Sequence, residues 1–430
     1  MRTIPTALIA LPASRRTPRR VVGAAAWAIV AASVLALEAS GATRAPLPER
    51  VSVATSAAAP NGESFGAALS GDGRVVAFDS SASNVVSGDT NGVDDLFVRN
   101  RARRTTERVS VGAAGEPNGP VLGGHHDVSA NGRVVVFASD ASNVVEGDAN
   151  GSADIFARDL ASGTTQLISV GTAGIVADAL NLSPRVSGDG RFVVFQSLGR
   201  SELLEPQPPG SSLVPGDTNG FFDVFVRDRV AGTTERVSVS SSGAQGDAGS
   251  FAATISDDGR VVAWESPASN LVAGDTNGLR DVFVRDRQTG TTERVTVGIG
   301  GAESNGATVF TPDLSADGRF VAFESSASDL VAGDTNGVED VFVRDRRTGT
   351  TERVSVGTNR AQANAMSRSV PSISADGRLV AFMSEASNLV PGDGNGALDA
   401  FFYDRLRSAR SSSAPPRADV RSPCRATSRA

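Results

Sequence analysis

Four residue types that carry much of protein chemistry are scarce in this chain of 430 residues, which has one cysteine, two histidines, one tyrosine and no lysine. A single Cys424 excludes an intramolecular disulfide and a zinc cluster. A Ser-His-Asp or Cys-His centre would have to draw on the adjacent pair His125-His126, and no Gly-x-Ser-x-Gly elbow stands between a strand and a helix pattern. No glycine-rich phosphate loop opens a helix. The formal net charge is −7, so the overall charge gives no support to a nucleic-acid partner.

Long apolar runs are equally scarce. The one present, Val21 to Leu37, follows Arg2, Arg15, Arg16, Arg19 and Arg20 and precedes the small residues Ser40-Gly41-Ala42. At 17 alanine-rich residues it is short for a spanning helix, which needs about 20 strongly apolar residues. Residues 1–42 are therefore expected to be a signal peptide, with an uncleaved anchor as the alternative. Cleavage would leave a chain of net charge −11, periplasmic or extracellular, with no membrane span. Residues 406–430 are rich in Arg, Ser, Pro and Ala and read as a disordered tail.

Between these ends, residues 43–405 repeat one phrase six times. The Asp/Asn-Gly pair that opens each unit falls at Asp72, Asn131, Asp189, Asp258, Asp317 and Asp376, at intervals of 59, 58, 69, 59 and 59 residues. The long interval reflects an 11-residue insert within Leu198–Ser211. Each unit holds four strand-like runs with period-2 alternation. The first ends before the Asp-Gly pair, whose chemistry predicts a type I′ hairpin. The second carries Phe78, Phe137, Phe195, Trp264, Phe323 or Phe382, and the third centres on Phe97, Phe156, Phe225, Phe283, Phe342 or Phe401. The fourth reads Glu-Arg-Val-Ser-Val. Four antiparallel strands repeated six times predict an all-β, six-bladed β-propeller. The sixth unit stops at Asp404, and its missing phrase stands at Glu49-Arg50-Val51-Ser52-Val53. The N-terminal strand is thus expected to complete the last blade and close the ring.

The run Ser315-Ala-Asp-Gly-Arg-Phe-Val-Ala-Phe-Glu-Ser325, followed by Asp340-Val-Phe-Val-Arg-Asp345, resembles the WD40-like repeats of TolB-type propellers. The resemblance covers about residues 47–405 and implies a six-bladed propeller, commonly exported and used for binding. The chain departs from that pattern in having Ala, Gly or Asp before Asp-Gly where the family has Pro, and in its longer blades. TolB's additional N-terminal domain is not expected here, so the Tol-complex role is not carried over.

Every unit also carries Asp-x-Asn-Gly-x-x-Asp between its second and third strands. The six sets are Asp89/Asn91/Asp95, Asp148/Asn150/Asp154, Asp217/Asn219/Asp223, Asp275/Asn277/Asp281, Asp334/Asn336/Asp340 and Asp393/Asn395/Asp399. One reading is a weak calcium site in each loop. Alternating Asp and Asn can turn oxygens inward, and glycine allows the sharp bend, but calcium takes about six to eight oxygens and two carboxylates supply few of them. The other reading is turn structure, with Asp and Asn side chains capping backbone N–H groups. In that case the last aspartate is expected to pair with the arginine after the Asp-Gly turn (Arg74, Arg133, Arg191, Arg260, Arg319, Arg378).

The functional expectation is a non-catalytic, monomeric, exported scaffold that binds a protein or glycan on one face. The alternative is a glycan hydrolase or lyase using channel carboxylates such as Asp127 and Asp313, which would have to sit about 5–10 Å apart.

Overall fold

The structure, a computed structural model, describes residues 48–408 except 114, 178, 199–212, 309 and 310. The expected signal segment 1–42, nearly all of the Leu198–Ser211 insert and the tail beyond residue 408 lie outside the described residues.

Among the described residues twenty-three strands form six sheets, one per repeat. Blade one holds β1 (Ser64–Leu69), β2 (Val75–Ser80), β3 (Asp95–Asn100) and β4 (Thr105–Arg108). Blade two holds β5 (Val121–Val128), β6 (Val134–Ser139), β7 (Asp154–Asp159) and β8 (Thr164–Leu167). Blade three holds β9 (Asn181–Val186), β10 (Phe192–Leu198), β11 (Phe222–Asp228) and β12 (Thr233–Arg236). Blade four holds β13 (Phe251–Ile255), β14 (Val261–Ser266), β15 (Asp281–Asp286) and β16 (Thr291–Arg294). Blade five holds β17 (Asp313–Leu314), β18 (Phe320–Ser325), β19 (Asp340–Asp345) and β20 (Thr350–Arg353). Blade six holds β21 (Ser367–Ile373), β22 (Leu379–Ser384) and β23 (Asp399–Asp404). Pairing within each sheet is antiparallel and follows sequence order. The first strands of successive blades lie against one another around the axis.

The core explains the aromatic period. Phe323 and Phe342 are directly opposite in register, and their rings stack at 5.8 Å. Each other blade has the same cross-strand pair, from Phe78–Phe97 to Phe382–Phe401. Because side chains alternate across a strand, the pair shares one face and leaves the small aliphatic residues on the other. The aromatic face of one blade packs on the aliphatic face of the blade before it, as Phe137 and Phe156 do on Leu96 and Val98. Burying a Phe side chain in this way contributes about 1.5–3 kcal/mol, so the period in the sequence is the period of the blade interfaces.

Two expectations need correction. The Asp-Gly turn is not type I′, since no Asp of these turns has positive φ. In blade five Gly318 N–H donates to the Ser315 carbonyl at 2.8 Å and Asp317 Oδ1 accepts from Arg319 N at 3.0 Å. This is a type I turn ended by one left-handed glycine, which the Asx bond of Asp317 favours. Glycine is required there twice over, for φ +66° and because a Cβ would come within 2.6 Å of Val261 in blade four. The fourth strand also ends earlier than expected, at the Glu-Arg pair. Beyond it Val354 N–H donates to the Val341 carbonyl at 2.9 Å and the valine side chain drops into the blade interface.

The N-terminal segment lies on the blade-one side. Among the described residues the sixth sheet has three strands, and residues 48–53 form none. That segment lies along blade one, held by the Glu49–Arg101 ion pair at 2.8 Å and by Thr106 Oγ1 donating to the Val53 carbonyl at 2.7 Å. These contacts repeat those that a fourth strand makes with the following blade, as in Glu293–Arg346 at 2.6 Å and Thr234–Val170 at 2.6 Å. The segment thus occupies the blade-one side of a fourth strand's place, and among the described residues no ladder joins it to β23. The aromatic pair of blade one clusters with residues of its own blade alone, and Phe402 on β23 is 65% exposed.

Candidate functional site

In four blades the Asp-x-Asn-Gly-x-x-Asp loop closes on an arginine from the fourth strand. Arg353 Nη1 lies 2.8 Å from Asp334 Oδ1 and 3.1 Å from Asp340 Oδ2. Arg236 meets Asp217 at 3.0 Å and Asp223 at 3.4 Å. Arg108 meets Asp89 and Asp95 at 3.5 and 3.2 Å, and Arg294 meets Asp275 and Asp281 at 3.5 and 3.6 Å. A Glu or Gln clips the guanidinium from its far side, as Glu116 does at 2.8 Å and Gln362 at 3.1 Å. The guanidinium thus sits where the calcium reading would put a cation. Among the described residues no three His, Cys, Asp or Glu side chains gather as a metal-holding group.

The asparagines stitch the loop together and do not turn their oxygens toward a shared centre. Asn336 Nδ2 donates to Asp340 Oδ2 at 2.8 Å and to the Ala363 carbonyl at 3.1 Å. Asn91 Nδ2 donates likewise to Asp95 Oδ2 at 3.1 Å and to the Pro117 carbonyl at 3.3 Å. Asn219 Nδ2 reaches Asp223 Oδ2 at 3.0 Å and the Gly246 carbonyl at 3.1 Å, and Asn277 Nδ2 reaches the Ser304 carbonyl at 3.0 Å. The amide oxygens are spent on the backbone two residues on. Asn219 Oδ1 accepts from Phe221 N at 3.1 Å, Asn277 Oδ1 from Leu279 N at 2.7 Å and Asn91 Oδ1 from Val93 N at 3.4 Å. In blade two Asn150 Oδ1 accepts from Ser152 N at 2.9 Å. The amide oxygens of Asn91, Asn219, Asn277 and Asn336 are thus occupied by backbone N–H groups. Each closes an Asx turn, and the arginine already neutralises the aspartates beside it.

The last aspartate also anchors the Val-Ser-Val phrase, since Asp340 Oδ1 accepts from Ser355 Oγ at 2.5 Å. Burial raises Asp89, Asp95, Asp281 and Asp334 above the usual carboxylate range, and raises Asp223 and Asp275 to about 6.

Two blades differ. In blade two Leu167 stands at the arginine's register position, opposite Phe156, and Val176 replaces the Glu or Gln clip. Asp148 and Asp154 therefore face each other without a guanidinium, and burial pushes Asp154 up to about 7. In blade six Asn395 Nδ2 donates to Asp399 Oδ2 at 2.7 Å, and Asp393 and Asp399 are only half-buried.

The arginine after the Asp-Gly turn does not reach the loop aspartate as expected. Arg260, Arg319 and Arg378 pair with Asp286, Asp345 and Asp404 at 2.6, 2.6 and 2.8 Å. The register explains this: the start of the second strand lies opposite the end of the third, at the far end of the sheet from the loop.

At the axis, the adjacent histidines point to different blades. His126 is buried with Nδ1 3.0 Å from Asp79 Oδ1 of blade one. His125 Nδ1 lies 3.2 Å from the Ser183 amide of blade three, and burial, with Arg185 nearby, lowers its pKa. Asp127 Oδ2 accepts from Val186 N of blade three at 3.0 Å, and Asp313 Oδ2 from Ile373 N of blade six at 2.8 Å. Burial raises Asp127 and brings Asp313 to about 6. Both carboxylates bridge neighbouring inner strands. Sequence reasoning missed a parallel set one residue before the serine that stands at or next to the end of the second strand, where Asp79 Oδ2 accepts from Gly124 N at 2.6 Å and Gln196 Oε1 from Ala252 N at 3.0 Å. Glu265 holds the same position in blade four, and burial raises it to about 7. The signal was a polar residue repeatedly interrupting an otherwise apolar strand.

The variable positions of the Asp-x-Asn-Gly loops differ sharply between blades. Blade three has Phe221 and Phe222 there. Phe222 packs on Phe251 at 5.6 Å, Arg280 lies 5.1 Å over the Phe251 ring, and Phe221 is 43% exposed.

No protein-family model matches the chain, and no curated protein matches it. Solved structures do. A protein assigned as TolB from Agrobacterium tumefaciens is 16% identical over 80% of this chain and 90% of its own, with a TM-score of 0.41. TolB from Acinetobacter baumannii is 15% identical over 69% of this chain and 57% of its own, with a TM-score of 0.37. An acylaminoacyl peptidase from Pyrococcus horikoshii is 10% identical over 80% of this chain and 45% of its own, with a TM-score of 0.46. The likeness is one of fold. Among the described residues no helix is long and apolar enough to cross a membrane.

Proposed function

We propose that the protein is a non-catalytic, exported propeller that presents its Asp-x-Asn-Gly face to a protein or glycan partner. The observation that carries this reading is the patch at blades three and four. Phe221 stands exposed beside the Phe222–Phe251 pair and Arg280, the aromatic and arginine chemistry typical of binding hot spots. The enzyme alternative finds less support, because Asp127 and Asp313 are engaged with backbone amides of the next blade.

The scaffold reading includes a closed ring, with residues 49–53 pairing to β23. Its support is positional. By the repeat, Arg50 corresponds to Arg353 and would meet Asp393 and Asp399, and Ser52 corresponds to Ser355 and would donate to Asp399. The same pairing would cover Phe402.

The test uses residues 43–430 on a glycan array and in photo-crosslinking from position 221. A discrete ligand or crosslink that weakens at least tenfold in Phe221→Ser/Arg280→Ala supports the scaffold. Oligosaccharide turnover that disappears in Asp127→Asn and Asp313→Asn would replace it with the enzyme reading.

A further inference from the structure

Blade two keeps the loop but lacks its cation. In four sister loops the first aspartate turns Oδ1 to an arginine Nη1, at 3.5 Å in Asp89, 3.0 Å in Asp217, 3.5 Å in Asp275 and 2.8 Å in Asp334. The same atom of Asp148 is buried and has no hydrogen-bond partner, in a residue only 7% exposed. Beside it, Asn181 is fully buried. Its Nδ2 donates to Asp154 Oδ1 at 3.1 Å, while its Oδ1 is also without a partner. Both halves of the usual neutralising device have been replaced together, the arginine by Leu167 and its clip by Val176.

We propose that the second blade binds one oxygen-preferring divalent cation, calcium, on Asp148 and Asp154 in the position that a guanidinium fills in four sister blades. A buried carboxylate oxygen with no partner is costly, and more so when charged. A cation there would remove that cost as the arginines do elsewhere. Calcium accepts carboxylate and amide oxygens in irregular cages, and two carboxylates completed by carbonyl groups and water give a modest affinity. The other four loops have no place for the ion because their arginine is already seated. This narrows the six-site expectation of the sequence to the one loop whose buried aspartates lack an arginine, those of blade six being only half-buried, and it is independent of the scaffold reading, which survives its failure.

The experiment is calorimetric titration of chelator-treated residues 43–430 with calcium chloride, with melting curves on the same samples. The wild-type chain should bind one equivalent and melt at a higher temperature with calcium. Leu167→Arg/Val176→Gln, which installs the clip of blade five, should abolish both responses while folding normally. Asp148→Asn should also abolish them, and Asp89→Asn in blade one should leave them intact. No heat and no melting shift in the wild-type chain at 10-millimolar calcium (about tenfold above the weak end of protein calcium sites) would overturn the proposal. So would one-to-one binding that persists in the Leu167→Arg/Val176→Gln chain.

Discussion

Replacing Arg353 by leucine turns the loop of blade five into a copy of blade two, and the cost can be worked from the contacts. Arg353 is 8% exposed and its Nη1 neutralises Asp334 and Asp340 at 2.8 and 3.1 Å, with Asp340 fully buried. Removing one partner of a buried ion pair costs about 3–5 kcal/mol, because the remaining charge stays buried and uncompensated. The two carboxylates have one escape, which is to take up a proton. Blade two indicates where: Asp154, without an arginine, is raised by burial to about 7. An acid whose folded pKa lies above its unfolded value stabilises the fold at low pH and loses that contribution as pH rises to the folded value. The variant should therefore lose about 3–5 kcal/mol at pH 8, and below pH 7 the loss should shrink by about 1.4 kcal/mol per unit. Urea unfolding at pH 8 and pH 5, followed by the fluorescence of buried Trp264, measures both numbers. A loss under about 1 kcal/mol at pH 8 would mean that the clamp behaves as a surface ion pair. A loss that does not change with pH would refute the shared-proton argument.

Phe323→Ala should cost about 3–5 kcal/mol in the same assay, since the ring is fully buried against Phe342. With Asp154 and Glu265 both at about 7, the metal-free wild-type chain should lose stability as pH climbs from about 4 to about 7. Asp154→Asn should flatten part of that slope, as read from unfolding midpoints across the range. Asp313→Ala leaves the Ile373 N–H without its 2.8 Å acceptor and should destabilise by about 1–3 kcal/mol. An unchanged midpoint would free that carboxylate for another role.

The blade was legible because its core is periodic. The paired aromatic positions and the Asp-Gly punctuation placed the second and third strands in all six units. The turn type was misread because Asp-Gly alone does not distinguish a two-residue type I′ turn from a longer turn ended by glycine. The preceding serine, whose Oγ bonds Asp317, was the missing cue. The loop motif was visible as a motif, but its partner was not. The clamping arginine lies 13 residues beyond the last aspartate, on the fourth strand, and only the sheet register brings Arg353 to Asp340. The inter-blade carboxylates were harder still, since Asp79 and Asp127 act on backbone amides, which carry no residue signature.

The scaffold reading includes a closed ring, and a disulfide tests that closure most directly. In blade five Glu352 lies opposite Val343, so by the repeat Glu49 should lie opposite Phe402. Directly opposed residues of antiparallel strands are within disulfide reach. In a Cys424→Ser background, Glu49→Cys/Phe402→Cys should oxidise to an intramolecular crosslink as fully as the internal control Val343→Cys/Glu352→Cys. A control that crosslinks while positions 49 and 402 remain free thiols would leave the N-terminal segment with blade one alone and the ring open.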